Sequence, residues 1–113
     1  MLGVRPVPTN KRLRDDATDR LFEAILLLHD VDECYRFFED ICTVGEIKDM
    51  AQRLQVAKML DANHTYEDIV TATGASTATI SRVKRCLHYG ADGYRLLLDR
   101  LQRKEEKKTG NDQ

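Results

Sequence analysis

The sequence predicts an all-α protein of six helices, and three observations carry that prediction. Apolar residues recur at three- and four-residue steps, and no alternating strand pattern competes with them. Capping residues stand ahead of the apolar runs at Asp30, Thr43, Thr65 and Ser76. The chain has 113 residues, which makes one domain with no room for a separate enzymatic lobe.

The elements follow in order. Residues 1–14 hold four basic groups, Arg5, Lys11, Arg12 and Arg14, with two prolines and no acid. This predicts a flexible basic arm over 1–16, able to lie along DNA or to remain disordered without a role. It lacks the apolar core of a signal peptide, so a cytoplasmic protein is expected. The folded domain is expected over 17–104.

Its first helix, from near Thr18, covers "RLFEAILLLHD". Within Leu21–Leu28 only Glu23 is polar. A helix apolar almost all round must be buried on several sides. A domain this small can hardly do that alone, which points to a partner subunit.

Asp30 with Glu33 starts a second helix, "VDECYRFFEDIC", and Thr43 with Glu46 forms a capping box for a long third. Asp61–His64 reads as a break. Thr65 with Asp68 opens a short fourth helix ending near Thr73. Gly74 fits a left-handed turn, and Ser76 caps a fifth helix that stops at Gly90. A sixth helix carries Tyr94, Leu97, Leu98 and Leu101 on one stripe. Residues 105–113 are expected to be a charged flexible tail.

Two helices meeting at a tight glycine turn, the second exposed and basic, describe a helix-turn-helix. Counting from Tyr66, Ile69, Gly74, Ala75, Ile80 and Val83 take the fourth, ninth, tenth, fifteenth and eighteenth positions, where the two helices pack together. Val70 departs from the usual small residue at the fifth position, and Thr73 from the usual apolar eighth. Outward remain Ser76, Thr77, Ala78, Ser81, Arg82 and Arg85. Short hydroxyl and methyl side chains let a helix enter a major groove about 12 Å wide and meet base edges. Thr79, Lys84 and Arg85 suit backbone phosphates, which give affinity without sequence information. A helix-turn-helix can also be a plain structural corner, and a Ser/Thr-rich start can be only a cap. Glycine spacing, apolar spacing and a clustered basic face together favour double-stranded DNA as the partner.

The net charge of −1 hides an uneven distribution. Residues 15–46 carry ten acids against two bases, whereas 74–91 carry three bases and no acid.

With "CYRFFEDICTVGEIKDMAQRLQVAKML" and "TYEDIVTATGASTATISRVKRCLHYG" in view, the chain resembles the Trp repressor superfamily, and within it the YerC/YecD branch. The resemblance covers roughly residues 17–103 by the criterion of matching helix pattern. It implies a six-helix fold in an intertwined homodimer that presents two recognition helices to successive major grooves. It also implies an effector pocket, with Arg53 and Arg82 on either side of the ligand and Thr43 near its polar end. The family's glycine after the recognition-helix arginine is Val83 here, and its serine is Cys86. A valine removes volume that an indole needs, and overpacking costs about 1–3 kcal/mol. No cofactor is therefore expected, tryptophan included. A different small-molecule effector stays open, and Arg82 is then a DNA or structural arginine.

Other chemistries find little support. Cys34, Cys42 and Cys86 show no C-x-x-C pairing and predict reduced, packed thiols. His29, His64 and His88 have neither metal nor catalytic spacing, so no metal site and no enzyme is expected. No apolar run reaches the roughly 20 residues of a membrane span. The competing function is a small helical module that binds another protein.

Overall fold

The computed structural model describes residues 10–111. Six helices follow one another: α1 (Asp16–Ile25), α2 (Val31–Ile41), α3 (Val44–Asp61), α4 (Tyr66–Thr73), α5 (Thr77–Tyr89) and α6 (Gly93–Asn111). No strand occurs among the described residues. The all-α, six-helix expectation is met. By contacts within the chain, two compact units divide between Met50 and Ala51.

The first unit holds α1, α2 and the start of α3. Asp15 caps α1, its carboxylate accepting the Thr18 N–H at 2.7 Å. The helix thus begins two residues before Thr18, the expected start. It also ends sooner, at Ile25. Leu27 and Leu28 donate to the carbonyls of Ala24 and Ile25, three residues back, so the leucine run is a tightening turn rather than α-helix. The cause lies just beyond, where Asp30 must leave helical geometry to accept the Glu33 N–H (2.8 Å) as cap of α2. Glu33 in turn accepts from the His29 N–H at 2.8 Å. Thr43 and Glu46 form the reciprocal box that starts α3, at 2.8 and 3.1 Å.

No described residue of this unit is buried. Phe22 of α1 is 52 % exposed, and Leu26 and Leu27 of the turn that follows are 83 % and 74 % exposed, so these apolar side chains find little cover within a single chain.

The arm expected over 1–16 lies mostly outside the described residues, Arg5 and both prolines included. Of the rest, Leu13 N–H donates to the Asn10 carbonyl and Arg12 N–H to the Asn10 side chain, which makes a turn. Asp15 caps α1 and Asp16 is its first residue.

The second unit builds its core from Val56, Ala57, Ile69, Ala75, Ile80, Val83, Leu87 and Leu98. Asn63, with φ of 65°, turns the chain out of α3 in a left-handed conformation that asparagine tolerates. Asp61 and Arg95, 2.7 Å apart, tie the end of α3 to α6. Gly90 closes α5 by close approach: a Cβ there would lie 2.4 Å from the Cys86 carbonyl oxygen. α6 continues to Asn111, so the segment expected as a flexible tail from 105 is helical through 111. Lys58 meets Glu105 at 3.5 Å, and Thr109 donates its hydroxyl to the Glu105 carbonyl. Asp112 and Gln113 lie outside the described residues.

Candidate nucleic-acid interface

The sequence of α4 and α5 fixes where each outward side chain points. Thr65 and Asp68 form a capping box at the start of α4. Gly74 takes φ of 73°, a left-handed turn open to glycine at no steric cost. Ser76 then caps α5 by accepting the Thr79 N–H at 3.1 Å. Ile69, Ala75, Ile80 and Val83 are all buried, at the packing positions expected of them.

The two departures from the motif are now explained. Val70 is 37 % exposed and lies outside the buried core, so its size at the fifth position does not overfill the packing between the helices. Thr73 acts through its hydroxyl, which donates to the Ile69 carbonyl at 2.7 Å and accepts the Ala75 N–H at 3.1 Å. Gln52 of α3 donates its amide to the Thr73 carbonyl at 3.1 Å. The turn is therefore pinned by hydrogen bonds where an apolar side chain would pin it by burial.

With the inward residues accounted for, Ser76, Thr77, Ala78, Ser81, Arg82, Lys84 and Arg85 are exposed, and Thr79 is half-buried. The Thr79 hydroxyl accepts from Ser76 at 3.1 Å, so it belongs to the cap as much as to the outward face. No acid occurs in α5, and none of Arg82, Lys84 and Arg85 has a carboxylate partner among the described residues. The free N–H groups at the start of the helix add partial positive charge to the same face.

One contributor escapes sequence reasoning. Tyr66, the first residue of α4, is half-buried against the core. Its ring lies under the Lys84 ammonium, 5.7 Å from centroid to Nζ, and its hydroxyl is 3.5 Å from Ser81 Oγ. Tyr66 and Lys84 are on different helices, and no periodicity links them.

The residues implied for an effector pocket are dispersed in role. Thr43, in the first unit, spends its hydroxyl on the Glu46 N–H. In the second unit Arg53 is half-buried, Arg82 and Cys86 are exposed, and Val83 is 1 % exposed as part of the core. Cys34 and Cys42 are half-buried free thiols, so Cys86 departs from the packed environment expected of all three. Among the described residues no group of His, Cys, Asp and Glu could hold a metal, and no helix is long and apolar enough to cross a membrane.

Comparison with known proteins agrees with this geometry. The model of the Trp repressor protein family matches residues 16–102. The uncharacterized protein YerC of Bacillus subtilis (strain 168) is 58 % identical over 94 residues, covering 83 % of this chain and 90 % of that one. The crystal structure of a TrpR-like protein from Eubacterium eligens ATCC 27750 superposes with a TM-score of 0.80 at 56 % identity, over 82 % of this chain and 96 % of that one. A Staphylococcus aureus crystal structure gives 0.79 at 55 % identity, over 81 % and 92 %. Trp repressor-like proteins form a family of DNA-binding regulators rather than enzymes. By family model, relative and fold, the chain belongs to the Trp repressor family, on its YerC branch.

Proposed function

We propose that the protein is a sequence-specific transcriptional regulator, acting as a repressor, that reads a near-palindromic operator as a homodimer and without tryptophan. The observation that carries this is the outward face of α5: short, hydroxylated, free of acid, and backed by a fully buried inner face. Ser76, Thr77, Ala78 and Ser81 are assigned to base edges. Thr79, Arg82, Lys84 and Arg85 are assigned to phosphates. Two copies would engage half-sites about 34 Å apart, the general helix-turn-helix spacing of which Trp repressor is one instance.

The dimer is supported by the first unit, which buries none of its described residues yet exposes Phe22, Leu26 and Leu27. Independence from tryptophan is supported by Val83, whose side chain belongs to the packed core. Calorimetry is expected to detect no binding of tryptophan at micromolar concentrations, and a micromolar Kd would overturn that part.

Selection of bound DNA from random oligonucleotides, followed by gel shift, tests the whole. Arg85→Ala should weaken binding evenly across sequences and reduce the salt slope by about one. Thr77→Ala should change the preferred sequence. Affinities unchanged in both variants would overturn the groove assignment. The exposed apolar residues of the first unit favour a second reading, a protein-binding module. Binding that is indifferent to salt and needs no DNA would select it.

A further inference from the structure

Within the second unit, a cavity of about 330 Å³ opens beside the helix-turn-helix. Its wall comes from the end of α3, the turn before α4, the first residue of α4, the second half of α5 and the start of α6. Leu60 and Leu87 give it an apolar side, and Asn63, His64, Lys84 and His88 bring hydrogen-bond donors to the rest. The volume stands at the small end of the roughly 300–1,000 Å³ range of ligand cavities. At 3.6 residues per turn, Lys84 and His88 fall on one flank of α5, with the buried Ile80, Val83 and Leu87 behind. Arg82 and Cys86, which the family resemblance implies for an effector, fall on the opposite flank. The cavity is therefore a separate place on the same helix.

Charge decides what it takes. Arg95 and Asp61, both in the wall, meet at 2.7 Å, and Arg95 also reaches Asp99 at 3.4 Å, so these charges are spent on one another. Nδ1 of His64 is 3.9 Å from Asp68, and its Nε2 has no partner among the described residues. Lys84 has no carboxylate partner among them either. Its ammonium is instead held over the ring of Tyr66, 5.7 Å from the centroid, and Tyr66 lines the same cavity. The backbone N–H groups of Asn63 and His64 donate to the Leu60 and Met59 carbonyls, both at 3.0 Å, which fixes the turn that carries their side chains. An ammonium, an amide and two imidazoles thus line one space whose only acid is already paired. The three oxygens of a phosphate group can accept from donors in several directions, which the two coplanar oxygens of a carboxylate cannot.

We infer that this cavity binds a small phosphate monoester, its phosphate held by Lys84 and His88 with Asn63 and His64, its organic part against Leu60 and Leu87. Lys84 is also assigned to a DNA phosphate, so a bound monoester competes with the operator for that ammonium and weakens DNA binding. The coupling rests on the regulator reading above; the binding itself does not.

The full chain, free of DNA, is titrated with phenyl phosphate and followed by amide NMR, with phenol and inorganic phosphate in parallel. The signals of Asn63, His64, Lys84 and His88 should shift saturably with phenyl phosphate, at a Kd below about 1 mM. Inorganic phosphate should move the same signals more weakly, and phenol should not. His64→Ala and His88→Ala, both at exposed positions, should each raise the Kd about fivefold or more, with circular dichroism checking the fold. In a gel shift on selected DNA at constant ionic strength, phenyl phosphate should weaken wild-type binding about three- to tenfold and leave His88→Ala little changed.

Shifts that never saturate, that phenol reproduces, or that fall on Arg82, Arg85 and Cys86 instead would overturn the site. A Kd unchanged in both variants would overturn it too. A cavity that takes no monoester, with DNA binding weakened by His88→Ala alone, would assign these donors to the DNA backbone and overturn it. Saturable binding with unaltered DNA affinity would overturn the coupling only. A protein that binds the monoester and no DNA would remove the regulator reading while bearing out the site.

Discussion

Thr73 stands where a helix-turn-helix ordinarily carries an apolar residue, and its environment explains the exchange. The hydroxyl bridges the Ile69 carbonyl and the Ala75 N–H across the turn. Thr73→Val keeps the shape and removes both bonds, leaving the N–H of buried Ala75 without a partner. The loss should be about 1–3 kcal/mol, since an unmade buried hydrogen bond costs the desolvation of its donor. Thermal denaturation should show a fall of several degrees, and a midpoint within about one degree of wild type would contradict the role. The apolar members of the motif were legible because burial imposes a spacing. The hydroxyl staple was not, because a threonine's partner depends on backbone atoms that sequence does not position. Tyr66 was hidden for a related reason, its partners Ser81 and Lys84 being on another helix. Tyr66→Phe keeps the ring under Lys84 and should bind DNA nearly as wild type does. Tyr66→Leu removes a cation–π contact worth about 0.5–1 kcal/mol and should weaken DNA binding two- to fivefold in a gel shift. Equal affinity for the two variants would show that the ring does not position Lys84.

Helices α2 to α5 begin where capping chemistry said they would, because a cap is local: one side chain answers one orphan N–H. Thr43, Thr65 and Ser76 all fulfil it. Helix ends were harder. α1 stops at Ile25 without glycine or proline, and α6 runs on to Asn111 through a charged segment that looks like a tail. Neither end is written in its own residues, since each depends on what lies beyond or beside it. The caps also set an acid response. Hydrogen bonding to the Thr43 backbone holds the Glu46 carboxyl below its ordinary value of 4.5. Hydrogen bonding to the Thr18 backbone does the same for Asp15, below 3.8. A carboxyl lowered by folding stabilises fully above its ordinary value and ceases to do so as pH falls through the folded one. Helix content should therefore hold on acidification to pH 4.5 and then decline, more gently in Glu46→Gln, whose amide does not titrate there. Identical acid profiles by circular dichroism would contradict the role of Glu46. Gly90→Ala should shorten α5 at its end, because the added carbon has only 2.4 Å to the Cys86 oxygen.

Across the molecule, burial is unequally shared. The second unit has a core of eight buried residues, whereas the first has none among those described, although it carries the apolar run Leu21–Leu28. A unit that leaves Phe22, Leu26 and Leu27 in water gains little of the roughly 25 cal/mol per Å² that apolar burial supplies. Set against about 1–2 kcal/mol per residue of backbone ordering, its helices cannot be stable alone. If a second copy covers them, folding of the first unit and association are one equilibrium, and stability follows mass action. The melting temperature should then rise with protein concentration over two or three decades. On dilution the amide hydrogens of α1 and α2 should lose protection from exchange before those of α4 and α5. The order matters, because a dissociated chain keeps the Ile69, Ile80 and Val83 core that holds the helix-turn-helix. A melting temperature independent of concentration, with α1 as well protected as α5, would mean that the first unit is covered without a partner. The proposal of paired recognition helices would then lose its physical basis.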